Sequence, residues 1–275
     1  MATRYALTLG GLGVFTLLAG RFLLASPILV ALTLLHSRQR LTMRDFLKCF
    51  LVALVFPGLY FLFENHGIAR TSAFLASIII ASIPILTGIL ARFFLKEHLG
   101  LQGWLGAFLS IAGIITVILL AAPSSGKMLN SEEVEAVFTG TTVFGALLLV
   151  AAAVMGAVYI TAARHLMARY RPLTLSTIQS LLGLLFFSPL ALLEISRGDF
   201  SMNVWGLAAV GFLGIGASLI GFLAFNHALR SIEAGKASLF LNLVPLLSLI
   251  FGWIFLGERL YPAQALGGFA VVGGG

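Results

Sequence analysis

Residues 61–114 read FLFENHGIARTSAFLASIIIASIPILTGILARFFLKEHLGLQGWLGAFLSIAGI, and residues 222–275 read FLAFNHALRSIEAGKASLFLNLVPLLSLIFGWIFLGERLYPAQALGGFAVVGGG. At an offset of 161 the two stretches align without a gap: Asn65-His66 on Asn226-His227, Pro84 on Pro245, Glu97 on Glu258 and Gly106 on Gly267. Of the 54 pairs, 18 are identical. Shared apolar composition would match Leu with Leu but would not align the rare Asn, His, Pro and Glu, so the chain carries an internal duplication. Ser26-Pro27 falls on Ser188-Pro189 at an offset of 162, which extends the repeat upstream by at least one more helix.

Composition sets the solvent. Of the 275 residues, 60% are hydrophobic and 10% charged, with a mean hydropathy of +1.06. Those values lie far outside soluble composition and indicate an all-α polytopic membrane protein. A net charge of +7 would suit nucleic acid if the cations were massed on one face. The 17 Lys and Arg are instead scattered over the segments between apolar runs, so they report topology and no nucleic-acid partner is expected. A single cysteine, Cys49, excludes an internal disulfide framework and a Cys-based metal site; it is expected to pack as a small hydrophobe. There is no His-Glu-x-x-His, no Gly-x-Ser-x-Gly and no Gly-x-x-x-x-Gly-Lys, and the five histidines are spread singly. The chain is therefore read as no enzyme, with no cofactor, no metal and no ATP-driven step of its own.

A span of ~20 apolar residues per crossing predicts helices over Val14–Leu35, Phe46–Phe63, Ser72–Leu95, Leu101–Ala122, Thr142–Ala163, Leu173–Ile195, Val204–Leu229, Ala237–Leu256 and from Ala263 onward. The last run holds too few residues to cross, and Thr142–Ala163 has no upstream partner in the repeat. The expected parent therefore has ten helices in two five-helix repeats, about nine of them visible here, with both ends truncated. Expected boundaries are a first repeat over 1–122, an extracytoplasmic linker over 123–140 and a second repeat over 141–275. An odd number of crossings per repeat makes the second run oppositely through the bilayer, an inverted repeat. Assigning alternate loops to opposite sides puts 11 Lys and Arg on one side and five on the other. The richer side is the cytoplasm.

Polar groups inside apolar spans are the candidate functional residues. Arg21 is the unambiguous intramembrane charge, a functional-site candidate; the alternative is that its long stem snorkels to the outer interface or pairs with backbone carbonyls at a helix junction. Pro84 and Pro245 each remove a backbone donor within equivalent helices, which predicts paired bends beside a central cavity, with Asn242 one turn before Pro245. Tyr60, Tyr159 and Gln179 are candidate substrate contacts, or interhelical glue. Glu97 and Glu258 stand at helix C-termini, where the macrodipole disfavours a carboxylate, so each is expected to clamp free N–H groups at the start of the next helix. Asn65-His66 and Asn226-His227 close equivalent helices and are candidate gate or structural residues, with Glu64 a proton-sensitive neighbour.

Ser82-Ile83-Pro84 through Phe94-Leu95-Lys96-Glu97-His98-Leu99 and Trp104-Leu105-Gly106, repeated as Val244-Pro245 through Phe255-Leu256-Gly257-Glu258-Arg259-Leu260 and Ala265-Leu266-Gly267, resemble the paired domains of EamA-type transporters of the drug/metabolite transporter superfamily. Gly20-Arg21-Phe22-Leu23-Leu24-Ala25 is similar to that family's second helix. The resemblance spans essentially the whole chain. It implies ten helices, cytoplasmic termini, a central cavity and, frequently, export of amino acids, other metabolites or drugs. The expectation is a secondary transporter of a small solute in the inner cell membrane, working by alternating access, as a monomer or homodimer, with proton coupling open. A channel-like facilitator and a non-transporting receptor or partner on the same scaffold stay as alternatives.

Overall fold

In a computed structural model, the described residues are 12–36, 39, 41–71, 76, 79–98, 100–109, 112, 140–197 and 203–242. Among them the chain is helical and no strand occurs. In chain order the elements are α1 (Val14–His36), α2 (Met43–Ile68), α3 (Ile79–Phe94), α4 (101–109), α5 (Gly140–Met167), α6 (Pro172–Ser196), α7 (Val204–Ser231) and α8 (Ala234–Leu239). Five of these, α1, α2, α5, α6 and α7, are long and apolar enough to cross a membrane, and α3 is a shorter apolar helix. Most of the expected fourth and eighth spans, the linker, and the whole run from Ala263 lie outside the described residues.

The fold divides into two compact units, one of Met1–Leu59 with Ala162–Ser231 and one of Tyr60–Thr161 with Ile232–Gly275. The first unit is built on α1 against α6. The buried residues of α1 are Leu17, Leu18, Arg21, Phe22, Ala25, Ser26 and Leu29, a helical stripe, while Leu23, Leu24 and Ile28 stay exposed. In a bilayer that outer face meets hydrocarbon, so burial of apolar area cannot drive helix pairing, and close packing with hydrogen bonds must. Both are present on this seam. The Phe22 ring stacks on Phe187 at 6.1 Å and lies so near Gly183 that a Cβ there would fall 2.8 Å from it. Hydroxyl pairs Ser26–Ser180 at 2.9 Å and Thr33–Thr177 at 2.7 Å continue the contact. Ascending numbers on α1 meet descending numbers on α6, so these two repeat-equivalent helices run antiparallel.

α2 and α7 complete the first unit, and each is interrupted. Thr42 caps α2 with a reciprocal capping box to Asp45. The helix is regular to Ala53, then opens into a wide π-type stretch over Leu54–Leu59, where Phe56 leaves helical geometry (φ −139, ψ 118) before a cis Phe56–Pro57 bond. The cause is local: Pro57 has no N–H to donate, and it pushes the residue before it out of the α region. In α7 the same widening runs over Phe212–Gly221. The repeat offset of 161 sets 54–59 onto 215–220, so the two interruptions occupy equivalent positions.

In the second unit α3 breaks at Ser82, two residues before Pro84, whose ring sits in the first turn of the helix that follows. Lys96, with φ 58, turns the chain out of α3. Gly156 on α5 allows close approach, since a Cβ there would lie 3.1 Å from Ile83 and 3.3 Å from the Tyr60 ring.

Candidate functional site

Polar groups buried in an apolar bundle each need a partner. In the first unit those partners converge on the two interruptions. Arg21 is 6% exposed, and its Nε donates to Ser218 Oγ at 2.7 Å, within the widened part of α7. The side chain is enclosed rather than snorkelling to an interface. On the other interruption Gln179 Nε2 donates to the Phe56 carbonyl at 3.2 Å. That is the backbone group at the non-helical residue of α2. Gln179 Oε1 in turn accepts from Asn226 Nδ2 at 2.8 Å, and the same amide nitrogen donates to Ser176 Oγ at 2.9 Å. Gln179, Asn226 and Ser176 are all fully buried. A side chain of α1 thus holds the break of α7, and a side chain of α6, the repeat equivalent of α1, holds the break of α2.

Beside the α2 break lies an apolar cavity of about 300 Å³, lined by Phe50, Ala53, Leu54, Gly58, Leu182 and Phe186 among others. Its walls offer hydrocarbon contact, whereas the polar atoms belong to the neighbouring network.

Most other sequence candidates fall in the second unit. Tyr60 is buried and donates to Glu64 Oε1 at 2.9 Å. Pro84 and Tyr159 are buried on α3 and α5. Asn242 ends a short 3-10 turn, Phe240–Asn242, while Pro245 and Glu258 lie outside the described residues. The repeat-equivalent asparagines behave differently: Asn65 Nδ2 bonds back to Phe61 O at 2.7 Å within its own helix, whereas Asn226 reaches α6. His66 accepts from Arg70 Nη1 through its carbonyl at 2.9 Å, and His227 is exposed. Glu97 does take a helix N-terminus, but that of α8: Oε2 accepts from Ala234 N–H at 2.7 Å, across 137 residues of sequence. This contact joins the two repeats, α3 packing beside α8.

Several structural groups escaped the sequence reading. Glu194 accepts from Phe15 N–H at 3.1 Å, Thr16 N–H at 2.8 Å and Thr16 Oγ1 at 2.9 Å, capping the first turn of α1. Arg164 Nη1 donates to the Leu229 and Arg230 carbonyls at 2.9 and 3.0 Å, where a cation complements a helix C-terminus. Tyr170, between α5 and α6, donates to Asp45, which also faces Arg169 at 3.6 Å. Burial first, and then that hydrogen bond, push the Tyr170 phenol up to about 12. Among the described residues no group of three His, Cys, Asp or Glu is placed to hold a metal.

Helices interrupted at equivalent repeat positions, with buried polar side chains on the breaks, are a transporter arrangement, and comparison with known proteins decides the family. The profile of the EamA-like transporter family matches the chain twice, over residues 2–119 and 143–274. The chain belongs to the EamA-like transporter family. This is a family of membrane transporters and not of enzymes. The EamA-like chain is 28% identical over 240 residues to an uncharacterized transporter of Archaeoglobus fulgidus, covering 87% of this chain and 79% of the relative. It is 27% identical over 266 residues to a probable terminal-alkyne amino-acid exporter of Streptantibioticus cattleyicolor, covering 97% and 84% respectively. A solved crystal structure shares the fold with a TM-score of 0.77 at 21% identity, covering 99% of this chain and 92% of that one. The EamA assignment makes the protein a multi-pass membrane protein whose partners are a small-molecule substrate and the lipid bilayer.

Proposed function

We infer that this EamA-like protein is a secondary transporter that exports a small metabolite, with amino acids the leading class, across the inner cell membrane by alternating access. The observation that carries the reading is the pair of equivalent helix interruptions in the first unit, each met by a buried polar side chain. Lipid-facing packing has no use for an Arg, a Gln and an Asn at that depth, and intramembrane polar groups of this kind mark solute pathways. The antiparallel course of α1 and α6 supports an inverted relation of the two repeats, the architecture on which alternating access is built. The Streptantibioticus relative, a probable terminal-alkyne amino-acid exporter, favours amino-acid-like solutes. Arg21 is the group offered to a solute carboxylate, and Gln179 and Asn226 keep the break of α2 in shape around it.

Solute counterflow into proteoliposomes tests this. Saturable, trans-stimulated uptake of one solute class supports a carrier. Flux that is unsaturable and indifferent to internal solute would indicate a channel, and no flux from folded protein would indicate a non-transporting scaffold. A pH-gradient arm reports proton coupling.

A further inference from the structure

The two repeats fill one pair of equivalent helix seams differently. On the seam of α1 with α7, glycines bring the helices together. A Cβ on Gly20 would lie 3.1 Å from Val210 Cγ1, and one on Gly214 would lie 3.1 Å from the Arg21 carbonyl oxygen. Leu17, Ala209, Val210 and Leu213 pack the space that is left. On the seam of α6 with α2, the offsets of 162 and 161 set Leu182 where Gly20 stands, Ala53 where Gly214 stands and Phe50 where Gly211 stands. The larger side chains hold α2 off α6, and the cavity of about 300 Å³ lies between them. Both seams belong to the first unit, so one fold supplies a closed seam and an open one.

The open seam faces the bilayer. Leu185 on its rim is 68% exposed, and from Phe50 an apolar stripe continues along α2 through Leu47 to Met43, which are 54% and 80% exposed. At spacings of three and four these residues share one helix face. An empty cleft of this size forfeits the dispersion contacts of its lining, so an apolar chain from the surroundings fills it. The side chains that line it are apolar and give a polar solute nothing to bond with.

Charge identifies the occupant further. Where the stripe reaches the start of α2, Arg44 and Lys48 are exposed, and so are Arg169 and Arg171 in the neighbouring connection from α5 to α6. Asp45, the carboxylate in this stretch of α2, is already engaged by Tyr170, Thr42 and Arg169. This end is left cationic, and basic clusters at helix ends gather anionic lipid head groups. Gly58 lies ten residues beyond Lys48, ~15 Å at 1.5 Å per residue. That is one leaflet's share of a hydrocarbon core ~30 Å thick, so a chain anchored at the cations reaches the far end of the cavity within its own leaflet.

We propose that the α2–α6 seam is a binding site for an anionic phospholipid, with one acyl chain in the cavity from Phe50 to Gly58 and the phosphate against Arg44 and Lys48. The site lies outside the solute pathway and does not depend on transport.

Photolabelling of the purified full chain tests the placement without any substitution, and the closed seam is its internal control. A phosphatidylglycerol with a diazirine near the end of one acyl chain, and a phosphatidylcholine with the same chains, are each irradiated with the protein in detergent micelles. Adducts are mapped by peptide mass spectrometry. Phosphatidylglycerol is expected to label residues 50–58 and 182–186 at least fivefold more densely than the equivalent 211–219 and 20–24, and more densely than phosphatidylcholine does. Equal labelling of the two seams would overturn the site and leave a general lipid shell, and equal labelling by the two lipids would overturn the anionic head group. A protein dimer in which the seam is shielded from both lipids would overturn it in favour of a second copy.

Two variants then separate chain from head. Gly58→Leu, at a position where a Cβ meets nothing closer than 3.8 Å, fills the cavity and is expected to lower seam labelling by both lipids at least tenfold. The double variant Arg44→Gln/Lys48→Gln is expected to label equally with the two lipids. Seam labelling that matches wild type in both variants would contradict the assignment.

Discussion

Arg21 on α1 donates through Nε to Ser218 Oγ on α7 at 2.7 Å, and the repeat equates Ser218 with Pro57. Pro57 breaks one helix by withholding a donor, and Ser218 sits in the equivalent break as a hydrogen-bond acceptor. A hydrogen bond from a charged donor is worth about 1.5–3 kcal/mol. Arg21→Ala should therefore lower stability by about 2 kcal/mol, and Ser218→Ala by a comparable amount, because it takes an acceptor from a buried charged donor. In a double-mutant cycle read by denaturant unfolding, the pair should couple by about 1 kcal/mol; additivity within ~0.5 kcal/mol would show that the contact carries no energy.

The Gln179 network should be strongly non-additive. Gln179→Leu removes the donor to the Phe56 carbonyl and one acceptor of the Asn226 amide, and Asn226→Leu removes the donor to the Gln179 oxygen and to Ser176. Each is expected to cost about 1–3 kcal/mol, the price of a buried unsatisfied group. The double variant should cost clearly less than the sum, since it removes both members of one bond. Unfolding midpoints of the three variants check this.

Legibility in the sequence followed the physical signal available. Apolar runs define spans, so the long helices were readable, and a charge in such a run is conspicuous, so Arg21 was readable too. Gln179 was named as a polar residue within a span, but not its partner, because the partner is the backbone carbonyl of Phe56 and every residue carries one. Pro57 sits inside a predicted span as visibly as Pro84 does, and its position alone could have located the break of α2. Glu194 was missed for a different reason. A carboxylate near a helix end reads as solvated, and the amides it caps lie 178 and 179 residues away. Glu97 shows the same limit: its preference for a helix N-terminus follows from the macrodipole, but which N-terminus depends on packing between repeats.

Glu194 should act locally. Glu194→Ala removes the cap of α1 and should cost about 1–2 kcal/mol. Amide exchange at Phe15 and Thr16 should accelerate, with α5 unchanged. Glu194→Gln, which keeps an acceptor oxygen, should restore part of the protection. Uniform loss of protection throughout the chain would mean that Glu194 supports the fold in some other way.

Tyr170 gives a pH signature outside the spans. Its folded value is raised from 10.0 to about 12, so the stability it contributes is fully present below pH 10.0 and is lost as pH rises towards about 12. Tyr170→Phe should remove that alkaline component. Spectrophotometric titration should show one phenol fewer ionising at the high end in the variant. Identical alkaline unfolding of the two proteins would contradict the Tyr170–Asp45 contact.

The central claim is that this EamA-like chain moves a small solute through a polar pathway set at paired helix breaks. Trans-stimulated counterflow of labelled amino acids into proteoliposomes, with Arg21→Ala alongside wild type, tests it most directly. The account predicts saturable exchange of at least one amino acid by wild type and its loss, from folded protein, in the Arg21 variant. Saturable exchange that survives Arg21→Ala unchanged would contradict the assigned pathway, and no exchange of any solute by folded wild type would contradict transport itself.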